Sequence, residues 1–184
     1  MTNTMGTVIY HEEQQFHQIW LWLLLITVSL LLIGVFGTGM ISQLLYGKPW
    51  GNHPMSNAGL IVTGCFAFFL GIVLPALLLI TAKLVTEVKE DGIHYRFRPF
   101  HSRFLHIPLA EIQSWEAVTY QPLLEYGGWG IRYGPSGRAY NVSGNRGVRL
   151  KLQNGQRLLF GSQNPEAFDR AVQTVKNRTH LGGH

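Results

Sequence analysis

A chain of 184 residues with a formal charge of +5 and a single cysteine leaves room for one soluble domain once its apolar blocks are set aside, and it cannot close an internal disulfide. The basic residues are interspersed with acids rather than clustered, which argues against a nucleic-acid surface. Their placement along the chain says more: every Lys and Arg except Lys48 follows Ala82.

Residues 1–18 are polar and acidic at Glu12 and Glu13, and a frayed start or a short surface helix is expected there. The apolar run from 19 to 45 comes next without the basic flank or small-residue cleavage site of a signal peptide, so it reads as a first transmembrane helix. Trp20 and Trp22 at its beginning, with Tyr46 and Trp50 beyond its end, mark both membrane edges. The connection over 46–58 is rich in Gly, Pro and Asn and too short for anything but an antiparallel return. A second span covers 59–82, roughly 36 Å as a helix, and Cys65 inside it reads as a small buried hydrophobe.

By the positive-inside tendency, the 83–178 segment and the N-terminus lie in the cytoplasm and the Lys48 loop outside, in the inner membrane of a cell. Small and hydroxyl residues form a stripe on each span. Gly34 is expected at the depth of Ala67 and Thr38 at that of Thr63, with Gly71 in the same seam. The rival reading has the polar stripe lining a pore. Pro75 is expected to kink the second span. Neither span carries Asp, Glu, Lys, Arg or His, which makes an autonomous pump or carrier a poor fit.

From Lys83 the apolar period changes from helical to alternating. Two strands are expected around Asp91-Gly92, with Ile93, Tyr95 and Phe97 facing a core and Arg96 and Arg98 opposite; Lys83, Arg96, Arg98 and Arg103 are candidate contacts for anionic headgroups. Strands near 103–107 and 112–120 come next, then a hairpin around Gly134 to Gly137, with Gly127, Gly128 and Gly130 read as bulge or close-approach glycines. Val148, Leu150 and Leu152 alternate with charged residues up to the Asn154-Gly155 reversal. Asn164 then caps a helix with Pro165 at its first position and Phe168, Ala171, Val172 and Val175 on one face. Residues 179–184 are expected to be a loose tail.

Strands followed by one C-terminal helix make the element order of a pleckstrin-homology-like (PH-like) barrel plugged by its helix. The stretches GGWGIR and NVSGNRGVRLKLQNGQRLLFGSQNPEAF resemble the small uncharacterised bacterial and archaeal membrane proteins with two spans and a PH-like C-terminal domain. That resemblance implies fold and topology, and no catalytic role. The expected fold class is therefore an α+β membrane protein, a two-helix transmembrane hairpin followed by a mostly-β PH-like barrel capped by one helix.

No nucleophile elbow, HExxH or paired-carboxylate pattern is present. No metal or cofactor is expected, and His101 with His106 is the one histidine pair worth testing. The expected function is a non-enzymatic adaptor or regulatory module whose partners are membrane lipids and another membrane protein or a second copy. Trp129, Arg132, Tyr133, Arg138 and Tyr140 form the candidate partner surface, since Tyr, Trp and Arg dominate binding hot spots. The alternatives are a homo-oligomeric pore or an accessory subunit of a transport complex, and a membrane-bound enzyme.

Overall fold

The described residues open on a strand where a frayed or helical start is expected. In the computed structural model, which describes residues 7–181, β1 (Val8–Gln15) pairs antiparallel with β2 (Lys83–Lys89), Gln15 lying opposite Lys83. Val8, Ile9 and Tyr10 are good strand formers. The polar residues after them stay extended because Glu12 and Gln14 find partners on the rest of the module. The β-rich unit is therefore discontinuous, formed by the chain up to Phe16 and from Ala82 onward, while residues 17–81 form a second unit. The expected 83–178 domain lacks its first strand.

The 17–81 unit is a hairpin of two apolar helices, each long and apolar enough to cross a membrane. The first is α1 (Ile19–Met40), finished by a π-helical turn over Ile41–Leu45. The second runs through α2 (Asn57–Phe68), a π-helical turn at Phe69–Val73 and α3 (Leu74–Thr81). That widened turn comes just before Pro75, and the Leu74 N–H reaches back to the Phe69 carbonyl, the adjustment a missing proline donor favours. Ser56 caps the second helix by accepting from the Gly59 N–H at 3.1 Å.

A Cβ added at Gly71 would collide with Leu32, and one at Gly64 with Met40, so the helices meet along Leu32–Gly71 and Phe36/Met40–Gly64. Gly34 has nothing within 4 Å, Thr38 is exposed, and Ala67 is half-buried. Cys65 is on the hairpin's surface. The hydroxyls of Thr27, Thr38, Thr63 and Thr81 each donate to the carbonyl four residues earlier, at 2.9, 2.7, 2.8 and 2.6 Å. They are satisfied within their own helices.

In the β-rich unit, β2 continues through the Asp91-Gly92 turn into β3 (Gly92–Arg98), then β4 (Leu105–Pro108), completing a four-stranded sheet in chain order. A 3-10 turn over Leu109–Glu111 leads to a second sheet of β5 (Ile112–Thr119), β6 (Gly130–Gly134), β7 (Gly137–Asn141), β8 (Arg146–Leu152) and β9 (Arg157–Gly161). Its order is β5-β8-β9-β7-β6, with β9 parallel to β7 and antiparallel to β8. The strands form two sheets and no closed barrel, since β9 inserts between β7 and β8 rather than extending a meander.

Helix α5 (Pro165–Leu181) buries Phe168, Ala171, Val172 and Val175 among Leu84, Val88, Ile93, Phe97, Val148, Leu150 and Phe160. Asn164 caps it, its side-chain oxygen accepting from the Ala167 N–H at 3.1 Å. The short helix α4 (Pro122–Tyr126) ends at Gly127 in the left-handed conformation and lays Tyr126 over a smaller core of Tyr120, Ala139 and Leu159. Of the expected tail, residues 179–181 continue α5, and 182–184 lie outside the described residues.

Candidate functional site

Two strand ends adjoin the apolar hairpin, and Ala82 alone separates Thr81 from Lys83. Cross-strand pairing sets Gln15, Lys83 and Arg98 side by side across β1, β2 and β3. Lys83 pairs with Glu13 at 2.5 Å, and the hydrogen bond it donates holds the Glu13 carboxyl below the usual carboxylate range. Arg98 is exposed and leads into the β3–β4 loop, which carries Phe100, Arg103 and Phe104.

Phe100 is 63% exposed, while the Arg96 guanidinium lies 4.6 Å from the centre of the Phe104 ring. Lys83 and Arg98 are thus direct neighbours, Arg96 stacks on an aromatic ring, and Arg103 projects from the same loop. Phe100 and Phe104, which sequence reasoning missed, add apolar rings to a basic rim. Their signal was present in PFHSRF, two aromatics and a cation in a loop with no core to face. Cations flanked by exposed aromatic rings suit an anionic, partly apolar surface.

The other five candidates do not form one surface. Tyr140 is fully buried, its ring stacked on Phe160 at 5.5 Å and its hydroxyl accepting from Arg138 at 3.1 Å. Arg138 also lies 4.6 Å from the Tyr133 ring centre, which leaves Tyr133, 70% exposed, as the outward face of that group. The Trp129 indole donates to the Gly144 carbonyl at 2.9 Å, and the Trp129 carbonyl accepts from Arg132 at 2.8 Å, so both hold the loop before β6. His101 turns toward Tyr95 and Tyr140 at ring distances of 6.2 and 5.9 Å, while His106 stacks on His94. His101 and His106, the histidine pair singled out for testing, thus turn to different neighbours.

On the outer face of the second sheet, Ser114, Glu116, Ser136, Arg149, Lys151 and Arg157 line a depression of about 330 Å³. Arg149 is already held between Glu116 at 3.6 Å and Glu125 at 3.3 Å. Lys151 and Arg157 sit opposite each other on β8 and β9, both exposed.

Behind β1, the Glu12 carboxylate accepts from the Ser162 hydroxyl at 2.6 Å, the Gln163 N–H at 2.7 Å and the Gln14 amide at 2.9 Å, and from the Tyr10 hydroxyl. Burial first, then the hydrogen bond to Glu12, pushes the Tyr10 phenol well above its ordinary value. This half-buried knot joins the first strand to the turn that starts α5.

No curated protein matches the chain. A family model covers residues 1–177, and with β1, both apolar helices, both sheets and most of α5 inside that match, the chain belongs to a family of unknown function, DUF6141.

Proposed function

We propose that this protein is a non-enzymatic membrane adaptor of the inner membrane. Its apolar hairpin spans the bilayer, and its β-rich unit, a PH-like module, is held against the cytoplasmic surface to dock a protein partner or regulate a membrane complex. One observation carries the reading: the Gln15–Lys83–Arg98 alignment stitches both chain ends of the hairpin into one sheet. Phe16, His17 and Gln18 are the whole connection on one side and Ala82 on the other. At about 3.3 Å per extended residue, such links keep Lys83, Arg98 and the Phe100–Phe104 loop within reach of headgroups.

The PH-like reading is supported by a single C-terminal helix packed on the sheets, while the parallel β7–β9 pair is a departure from it. The hydroxyls of the helices are satisfied within their own helices and need no water-filled lining, which counts against the polar pore.

In a Cys65→Ser background, spin labels at Phe100→Cys and Asn154→Cys test the arrangement. The first should be accessible to membrane-dissolved oxygen and the second to an aqueous nickel chelate. Impermeant maleimide should label Asn154→Cys only after cells are permeabilised. Labelling in intact cells would overturn the orientation, and reproducible unitary currents from purified protein in planar bilayers would overturn the adaptor reading.

A further inference from the structure

At the end of the first sheet remote from the Lys83–Arg98 pairing, three metal-ligand side chains converge on the β2–β3 turn and the neighbouring strand. His94 on β3 and His106 on β4 are directly opposed, and Asp91 occupies the turn. The His94 Nε2 lies 2.9 Å from Asp91 Oδ1, the His106 Nε2 lies 3.5 Å from Asp91 Oδ2, and the imidazole rings stack with centroids 4.4 Å apart. All three donor atoms fall within 4.8 Å of one another.

Tetrahedral Zn²⁺ with bonds of about 2.0–2.1 Å holds its ligand atoms about 3.3–3.4 Å apart. The nitrogen-to-carboxylate distances, each to a different Asp91 oxygen, lie within about half an ångström of that separation. Gly92 makes the convergence possible, because a Cβ there would meet the Ile107 carbonyl and would stand 2.9 Å from the His106 Nε2. Glu87, across from His94, is occupied by Lys89 at 2.9 Å and His11 at 3.1 Å and does not compete for the turn.

We infer that Asp91, His94 and His106 form a binding site for a divalent transition-metal ion of the Zn²⁺ class. Two imidazole nitrogens and one carboxylate oxygen supply three ligands, and the exposure of Asp91 and His106 leaves a fourth position for water or an incoming donor. The ion bridges the turn and β4, so binding stiffens the free end of the sheet. The His94 Nε2 is hydrogen-bonded to the Asp91 carboxylate and the His106 Nε2 lies 3.3 Å from the Asp91 carbonyl oxygen, so both rings are turned toward the β2–β3 turn before any metal arrives.

The test is calorimetric titration of ZnCl₂ into the full chain in detergent, purified without a histidine tag. The expected result is one saturable equivalent in wild type that His94→Ala and His106→Ala each abolish, with His101→Ala binding like wild type. Absence of a saturable equivalent in wild type, or its survival in both alanine variants, overturns the site. If a variant fails to fold, wild-type protein still decides the question with Co²⁺. Intense visible bands of tetrahedral Co²⁺ at one equivalent support the site, and the weak octahedral spectrum of the free ion overturns it.

Discussion

His101 is where residue-scale electrostatics can be read most directly. Burial against Tyr95 and Tyr140, and then the positive charge of Arg138, hold its pKa below the ordinary histidine value. Because the unfolded chain binds that proton more readily, the stabilisation from a neutral His101 is complete above the unfolded value of about 6.5. It is lost progressively as pH falls toward the folded-state value. The NMR titration of the His101 ring should therefore have its midpoint below about 6.5, and Arg138→Gln should raise the midpoint only part of the way, since burial remains. An unchanged midpoint in the variant would remove Arg138 as a cause. The same cluster shows what was legible at this scale. Alternation on β7 places Arg138 and Tyr140 on one face, and the structure has them on one face; the depth of Tyr140 depends on β9 lying alongside β7. A strand's neighbours are a tertiary property, so a ring assigned to the surface by composition turns out to be in the core.

Elements were legible wherever a local signal was sufficient. The Asp91-Gly92 and Asn154-Gly155 reversals, the Asn164-Pro165 helix start and the buried face of α5 all arise from turn chemistry and periodicity. The contact between the two apolar helices was less legible, because small residues alone set neither the contacting face nor the depth: Gly64 and Gly71 meet Met40 and Leu32, while Gly34 and Thr38, on an unbroken stretch of α1, face away from the seam. Gly71→Leu and Gly64→Leu should each destabilise the hairpin by about 1–3 kcal/mol through overpacking against Leu32 and Met40. Gly34→Leu should be close to neutral, since that position faces open space. Thermal unfolding in detergent separates these outcomes, and equal losses at all three sites would mean another seam. Strand β1 was missed because its charged residues look solvated. Glu12 instead accepts hydrogen bonds from the Ser162 hydroxyl and the Gln163 backbone. Glu12→Ala should cost about 2–3 kcal/mol, as expected for a hydrogen-bonded charged group, read as a lower urea midpoint with an unchanged slope.

For the whole molecule, the decisive feature is that the apolar hairpin interrupts a β-rich unit instead of preceding it. Strand β1 covers one edge of β2, and its Tyr10 ring stacks on Phe168 of α5 at 5.1 Å. Removing β1 exposes a row of unpaired backbone groups on β2 and leaves Ser162 and the Gln163 N–H without their acceptor. Removing the hairpin costs the β-rich unit much less, because Gln15 and Lys83 are already cross-strand partners that a short turn can join. A chain of residues 7–16 linked through Asn-Gly to 82–181 should therefore be soluble, monomeric by sedimentation and cooperative in its thermal unfolding. Residues 83–181 alone should aggregate or melt at a clearly lower temperature, with the amides of β2 among the first to exchange. Equal stability of the two chains would show that β1 adds nothing to the fold. A lower melting temperature for the longer chain would show that the two halves of the sheet need the hairpin to meet.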